Sequence, residues 1–268
     1  MSARPPLFLP HFGLLLLCAA WLLPGLVGHA PWKGGDGEHF IALWLWQQQG
    51  MPLEAGLPPL YYWTASATAW LTSPFLALAD GARLASGLFV ALALLFTARA
   101  AQALYGEDMR WAAVFTLLGC VGLLVRGHEL NAYTAELAAA AMMLAGLAGL
   151  PQHARNGWLL GIGAALMLLA GGAAEALLFL LLAALAPLLL ADYRSPVARR
   201  GLALGVGVAA ACGAAWIAFL ASRELSLVAA LDFARWQNPA GMRPDYYPGI
   251  LGWYAWPAWP LAAWALYR

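Results

Sequence analysis

The sequence predicts an all-α fold, a polytopic transmembrane helical bundle of about eight spans with additional interfacial helices on its outer side. Three observations lead to this fold class. Hydrophobic residues make up 63% of the 268 residues and charged residues only 10%, a composition that is typical of proteins embedded in lipid. The 14 Trp and 9 Tyr residues concentrate near the ends of apolar stretches, where membrane interfaces favour them. Apolar stretches recur along the whole chain, so we expect one membrane domain covering residues 1–268.

The spans are predicted from length, because a helix needs about 20 mostly apolar residues to cross about 30 Å of hydrocarbon. In chain order, the predicted spans are 7–28, 83–104, 111–126, 132–150, 157–171, 174–191, 201–221 and 249–267. The first span also fits a cleaved signal peptide, because Gly28 and Ala30 are small residues at a possible cleavage site. The many later spans favour an uncleaved anchor.

The stretch 58–79 decides the expected topology. It is apolar and long enough to cross, but Pro74 interrupts it and Ser and Thr residues are scattered along it. If this stretch crosses, the basic loop 192–200 lies outside. If it lies along the outer face, that loop and most other arginines lie in the cytoplasm, in agreement with the positive-inside rule. We expect the second arrangement, with residues 29–82 and 222–248 as outer loops that carry most of the acidic residues.

Charge and cysteine content exclude other classes of protein. The formal net charge of +1 gives no indication of a nucleic-acid partner. The three cysteines, Cys18, Cys120 and Cys212, lie within apolar stretches, where a disulfide framework is not expected. The partners expected from composition alone are therefore membrane lipids.

Three motifs follow the first predicted span in order. The chain reads Asp36-Gly37-Glu38-His39-Phe40, then, after an amphipathic stretch at about 38–49, Leu57-Pro58-Pro59-Leu60-Tyr61-Tyr62-Trp63, and finally Arg83-Leu84-Ala85-Ser86. In these pieces the chain resembles the polytopic C-type glycosyltransferases that use polyprenyl-phosphate sugars, a family 39-like group that contains aminoarabinose lipid A transferases and protein O-mannosyltransferases. The aromatic, Pro-rich stretch 246–260 is similar to the segment after the seventh membrane helix of that family.

The resemblance implies an inverting transfer of a sugar from a polyprenyl-phosphate donor to a lipid, glycan or protein acceptor on the outer face of the inner membrane. Such a transfer needs a base near the acceptor oxygen and hydrogen-bond donors or cations on the departing phosphate. By the resemblance, Asp36 is the base and Glu38 supports it. The residues expected to bind donor or acceptor are His39, Tyr61, Arg83, Asn131, Arg235 and Arg243.

Two positions depart from the family's pattern. Leu57 stands where the family often has a phosphate-binding lysine, and Asn131 stands nearest the place of its second carboxylate. An asparagine can donate to a phosphate or a sugar hydroxyl but cannot act as a base. Arg83, which also fits an interfacial anchor, is then the first candidate for the donor phosphate, with Arg235 or Arg243 as the next. Family members continue with further membrane helices, so the chain is expected to cover part of that architecture.

No cofactor is expected. The imidazole and carboxylate groups of His29, Asp36, Glu38 and His39 could hold a divalent ion, but they lack a clean ligand spacing. Two other classes of function stay open at this point: a non-catalytic membrane scaffold or lipid-handling protein, and a small-solute transporter whose acidic residues form a polar path.

Overall fold

The computed structural model describes residues 11–32, 34–50, 57–225 and 246–267. Within these ranges the chain is helical and contains no strand, which confirms the all-α prediction. The helices are α1 (His11–Leu22), α2 (Gly34–Gln48), α3 (Pro59–Thr72), α4 (Leu78–Tyr105), α5 (Met109–Leu118), α6 (Val121–Arg126), α7 (Tyr133–Ala148), α8 (Gly157–Leu169), α9 (Ala173–Leu189), α10 (Pro196–Ser222), α11 (Tyr246–Tyr254) and α12 (Ala258–Tyr267).

Two of the described helices, α4 and α10, are long and apolar enough by length and composition to cross a membrane. Their surroundings differ, because 50% of the apolar window of α4 is buried inside the bundle but only 6% of that of α10. Five shorter apolar helices have 10–17 residues. Large apolar side chains are exposed on the outside of the bundle, above all on α9, where they include Leu177, Leu178, Leu181, Leu182, Leu188 and Leu189. Such a surface suits lipid better than water.

The helices pack closely because small residues line their contacts. A methyl group on Gly161 of α8 would lie 2.6 Å from the carbonyl oxygen of Gly205 of α10, and Gly157 meets Gly201 in the same way one turn earlier. Alanines such as Ala93 of α4 belong to the core shared with α7. Helices that pair through small residues approach more closely and gain van der Waals contact, which is the usual source of association inside membranes.

Two of the predicted spans are interrupted in the structure. The stretch 111–126 is divided between α5 and α6 at Gly119 and Cys120, and the stretch 249–267 is divided between α11 and α12. The two interruptions lie side by side, with the Val121 N–H donating to the Trp256 carbonyl oxygen at 3.1 Å. Pro257 explains the second interruption, because proline has no N–H to continue a helix. The cross-connection then satisfies backbone groups that each interruption leaves free.

Helix α3 occupies most of the stretch whose topology was in question. It has 14 residues, or about 21 Å at 1.5 Å per residue, against about 30 Å of hydrocarbon in a bilayer. It lies antiparallel against the first turns of α4, with Tyr61 beside Ser86 and Ala69 against Gly81. Both ends of α3 are therefore near the N-terminal part of α4.

The close packing of α8 and α10 makes a stability prediction. Gly157→Ala should lower the free energy of unfolding by about 1–3 kcal/mol, because the new methyl group meets the α10 backbone rather than a movable side chain. The matched control is Gly207→Ala on α10, where a methyl group meets nothing within 4 Å. This variant should be as stable as the original chain or more stable, since Ala favours helix over Gly by about 1 kcal/mol. Denaturant unfolding in detergent micelles compares them, and equal losses would contradict the packing described here.

Candidate functional site

Four segments that are distant in sequence meet at the N-terminal end of α4. They are the connection between α1 and α2, the first turn of α2, the first turns of α3 and the connection between α6 and α7. Three of them contain, or adjoin in sequence, the motifs that predicted the site. Side chains of α2, α3 and α4 and backbone groups of the two connections are joined there by hydrogen bonds. The structure brings Asp36, Tyr61 and Arg83 to one end of the bundle, and their contacts differ from those expected.

The centre of the site is an ion pair between Asp36 of α2 and Arg83 of α4. The Arg83 Nη2 donates to Asp36 Oδ2 at 2.9 Å and Nε donates to Oδ1 at 3.2 Å. Both side chains are fully buried. This two-point geometry is the strong form of an arginine–carboxylate contact, because two parallel hydrogen bonds also fix the orientation. Asp36 lies in the first turn of α2, where the positive end of a helix dipole favours a carboxylate.

The remaining groups of this ion pair are also engaged by the protein. The Arg83 Nη1 donates to the carbonyl oxygen of His29 and to Asp80 Oδ1, each at 2.8 Å. The Asp36 Oδ1 accepts a further hydrogen bond from the Leu130 N–H at 2.8 Å. The sequence led us to expect that Asp36 would face an acceptor and Arg83 a phosphate. In the structure they face each other, and neither has exposed surface through which a substrate could reach it.

The buried charges explain why this end of the bundle is held together. Removing a charged group from water costs several kcal/mol, and only close partners and additional hydrogen bonds compensate for the loss. Here the partners come from the α1–α2 connection, α2, α4 and Leu130 in the α6–α7 connection. Each of these segments must be in place for the charges to be compensated, so the ion pair couples their positions.

A second group of hydrogen bonds joins α3 to the same end of α4. The Tyr61 hydroxyl lies 2.8 Å from Ser86 Oγ, and it accepts a hydrogen bond from the Asn131 N–H, also at 2.8 Å. Tyr61 is buried, and burial raises the pKa of its phenol far above the usual value. Tyr61, expected as a substrate-binding residue, thus connects α3, α4 and the α6–α7 connection. Its side chain is not exposed to a ligand.

Next to this network, His39 of α2 pairs with Tyr62 of α3. The His39 Nδ1 and the Tyr62 hydroxyl are 2.8 Å apart. Burial is the main cause that lowers the pKa of His39 from 6.5, and Arg126 lowers it further, while Glu38, Asp36 and Glu129 act in the opposite direction. The imidazole is therefore neutral at neutral pH. Burial also raises the pKa of Tyr62 to about 12, so its phenol remains protonated.

Other groups at the site are less completely engaged. Glu38 is exposed and forms no hydrogen bond or ion pair within the described residues. Asn131 is 93% buried and its side-chain oxygen accepts from the Tyr133 N–H, but no described residue accepts from its Nδ2. Arg126 pairs with Glu129 at 3.2 Å, and its side chain is 44% exposed. Glu38 and Arg126 are therefore charged groups with exposed surface next to the ion pair.

Sequence reasoning missed Arg126 and Asp80. Each stands three residues from its ionic partner, Arg126 from Glu129 and Asp80 from Arg83. That spacing places two side chains on the same side of a helical turn and could have indicated both pairs. Gly35 also contributes, because a methyl group there would lie 2.5 Å from Arg126 Nη1. The glycine-rich start of α2 thus lets the guanidinium come close to the helix.

An open cleft of about 440 Å³ lies beside the ion pair. It is lined mainly by apolar groups, among them Pro31, Phe40 and Leu78, with His29 and Asp80 at its polar side. Both of these residues contact Arg83. A ligand in the cleft would therefore contact His29 and Asp80, which in turn contact Arg83, but it would not contact Arg83 or Asp36 directly.

Two sequence-based expectations remain, one about phosphate binding by arginines of the second outer loop and one about a metal ion. Arg235 and Arg243, expected to bind phosphate, lie outside the described residues. Within the described ranges no group of three or more His, Cys, Asp and Glu side chains is arranged to hold a metal ion, so the carboxylates and imidazoles of this site do not form an evident metal centre.

Comparison of the chain with protein-family models, with curated proteins and with solved structures found no match.

The ion pair makes a prediction about stability. Asp36→Asn and Arg83→Gln should each lower the free energy of unfolding by about 3–5 kcal/mol, because each leaves a buried charge without its partner. The control is Glu107→Gln, which removes a carboxylate that is 68% exposed from its ion pair with Arg110 and should change stability little. Unfolding in mixed micelles measures all three. If Asp36→Asn proved as stable as Glu107→Gln, the ion pair would not hold this end of the bundle.

His39 makes a prediction about pH. Because burial holds its pKa below 6.5 in the folded chain, the unfolded chain binds more protons in acid, and folding stability should fall as the pH drops below about 6.5. His39→Gln should reduce this loss of stability between about pH 7 and pH 5. The control is His153→Gln, which changes an exposed histidine at the opposite end of the bundle. An unchanged pH dependence in His39→Gln would contradict the burial of a neutral imidazole.

Proposed function

We propose that the protein is a multi-pass membrane glycosyltransferase that moves a sugar from a polyprenyl-phosphate donor to a lipid, glycan or protein acceptor. One observation carries the proposal. The three motifs that resemble this class of enzyme are far apart in sequence, yet Asp36 pairs with Arg83, His39 pairs with Tyr62 and Tyr61 pairs with Ser86. The resemblance predicts a shared site for these pieces, and their hydrogen-bonded cluster supports the proposal.

The proposed orientation places this cluster outside the cell, facing the periplasm or exterior across the inner membrane. Acidic residues predominate at its end of the bundle: Asp36, Glu38, Asp80, Glu129, Glu136, Glu175 and Glu224, with the arginines Arg83, Arg126 and Arg223. Arginines predominate at the opposite end: Arg99, Arg110, Arg155, Arg194, Arg199 and Arg200, with the acids Glu107, Asp108 and Asp192. Membrane proteins keep arginine-rich connections in the cytoplasm, so the end with Asp36 is the outer one.

In this arrangement eight crossings are formed by α1, α4, the α5–α6 pair, α7, α8, α9, α10 and the α11–α12 pair. Helix α3 does not cross, because both of its ends lie against the outer turns of α4. Helix α2 precedes it on the same side. These two helices then cover the outer end of the bundle. A lipid-linked donor in the membrane and an acceptor from outside can meet there.

The reaction is an in-line displacement at the anomeric carbon of the donor. A hydroxyl oxygen of the acceptor bonds to that carbon while the bond to the phosphate oxygen breaks, and the phosphate leaves with the bonding electron pair. The hydroxyl proton passes to a base. We assign this role to Glu38 rather than to Asp36, because Glu38 is the exposed carboxylate and both oxygens of Asp36 already accept from Arg83.

Other groups near the cluster then have distinct roles in binding. Arg126 is the best-placed described cation for the donor phosphate, since its side chain is 44% exposed and a guanidinium can donate two parallel hydrogen bonds to a phosphate. Asn131 offers its amide N–H groups to the sugar or the phosphate. His39, being neutral, adds a hydrogen-bonding group without adding charge. Asp36 and Arg83 act as positioning residues that hold these groups in place.

The proposal predicts which substitution removes activity without unfolding the chain. Glu38→Gln should lower the rate of transfer about 10²- to 10⁴-fold, the usual effect of removing a general base, while leaving stability unchanged. Asp36→Asn should lose activity together with stability. Glu224→Gln, an exposed carboxylate at the end of α10, is the matched control and should retain the original rate. The assay measures transfer from polyprenyl phosphates carrying radiolabelled pentose or hexose, with the full chain in proteoliposomes.

The outcomes distinguish the proposed role of Glu38 as the base from the proposed function as a glycosyltransferase. If the original chain transfers sugar and Glu38→Gln does so at the same rate, Glu38 is not the base. The stability measurements above establish whether the original chain is folded. If the folded chain transfers none of the sugars to a panel of lipid, glycan and peptide acceptors, the enzymatic proposal fails. A non-catalytic membrane scaffold then becomes the better account.

A further inference from the structure

The end of the bundle opposite to the candidate site carries a group of arginines, Arg155, Arg199 and Arg200, that we call the arginine patch. Arg155 precedes α8, and Arg199 and Arg200 lie in the first turns of α10. Their helices touch at this level, because a methyl group on Gly201 would lie 2.9 Å from the Ala154 carbonyl oxygen. The three arginines therefore belong to backbone segments that are neighbours at this end of the bundle.

The arginine patch has no partner within the described residues. All three side chains are exposed, and none takes part in any hydrogen bond, ion pair or ring contact of the described chain. The carboxylate nearest in sequence, Asp192, is exposed and pairs with none of them. By contrast, Arg194 donates to the carbonyl oxygens of Pro187 and Leu188 at the end of α9. The patch is thus a concentration of positive charge that the fold does not use.

The position of the patch increases its attraction for anions. The N-terminal end of a helix carries a partial positive charge, which favours anions and disfavours nearby cations. Arg199 and Arg200 lie at such an end, and Arg155 lies just before another. Intramolecular stability therefore does not explain why these arginines are here. A negatively charged ligand would compensate both the side chains and the helix ends.

The surroundings of the patch indicate which anion fits. Trp158, three residues after Arg155, is 52% exposed, and Leu189, near the end of α9 at the same end of the bundle, is 76% exposed. Large exposed apolar side chains next to arginines are typical of the level where lipid head groups meet hydrocarbon. From the patch, an exposed face of small residues continues along α10 through Ala203, Gly207, Ala211 and Ala214. This face extends about 16 Å, similar to the roughly 15 Å of hydrocarbon in one leaflet.

We propose that the arginine patch binds the phosphate head group of an anionic phospholipid, whose acyl chain lies along the exposed face of α10. The charges complement each other, the apolar rim suits the glycerol and acyl region, and the small side chains leave room for a chain beside the helix. The binding is independent of sugar transfer. It would hold α8 and α10 at a defined depth in the membrane.

The test measures binding of phosphatidylglycerol to the purified full chain in neutral detergent, by titration and native mass spectrometry. Replacing Arg199 and Arg200 together by Gln should weaken binding at least about tenfold, since two charge-assisted contacts to phosphate are lost. The matched control replaces Arg99 and Arg110 by Gln, which removes the same charge at the same end of the bundle. It should leave binding within about threefold of the original.

Two further arms identify the ligand and protect the test against misfolding. Replacing Arg199 and Arg200 by Lys keeps the charge, so phosphatidylglycerol should still bind better than to the Gln variant. Phosphatidylcholine, and inorganic phosphate as a competitor, should have little effect. Equal weakening by both Gln pairs would overturn the proposal, as would competition by inorganic phosphate at concentrations comparable to the lipid. A dimer that dissociates when Gly207 is replaced by Leu would show instead that a second copy covers this face.

Discussion

The end of the bundle that contains the candidate site depends on the compensation of buried charge around Arg83. A guanidinium with no exposed surface requires acceptors for its N–H groups, and here they come from Asp36, Asp80 and the His29 carbonyl oxygen. Two of these acceptors, Asp36 and the His29 carbonyl oxygen, reach Arg83 from segments other than α4. Because leaving any of the charges unpaired would cost several kcal/mol, the segments must assemble together. The polar cluster therefore holds the segments at this end of the bundle together. Within the bundle, close contacts between glycines and alanines hold α8 and α10 together in the same way.

Much of this architecture could be predicted from sequence. Helical class and the helices from α4 onward follow from the apolar stretches, and the order of motifs indicated that Asp36, Tyr61, Arg83 and Asn131 belong to one site. Their orientation could not be predicted, because a sequence does not reveal whether two charged residues 47 positions apart face each other or a ligand. The interruption at Gly119 also escaped prediction, since a single glycine in an apolar stretch is common and the interruption is completed by Trp256 from the end of the described chain. Helix α2 begins at Gly34, earlier than expected, because packing around Gly35 and Asp36 outweighs the poor helix propensity of glycine.

The structure separates residues that organise the site from residues that can meet a ligand. Asp36, Arg83, Tyr61 and Ser86 are buried and bonded to one another, whereas Glu38 and Arg126 are open to the surroundings. A site of this kind can keep its geometry while its exposed residues change, since the supporting hydrogen bonds lie beneath them. The two ends of the bundle also differ in charge. Carboxylates surround the candidate site, and unpaired arginines mark the opposite end, so a single orientation in the membrane would satisfy both the proposed chemistry and the proposed lipid contact.

The most direct test of this account is the coupling between Asp36 and Arg83 in a double-mutant cycle. Free energies of unfolding would be measured for the original chain, Asp36→Asn, Arg83→Gln and the variant with both changes. If the two residues compensate each other as a buried pair, the double variant should lose much less stability than the sum of the single variants, with a coupling of about 0.5–3 kcal/mol, the range for residues in contact. Strictly additive losses would mean that the two charges do not depend on each other, and the account of how this end of the bundle is assembled would be wrong.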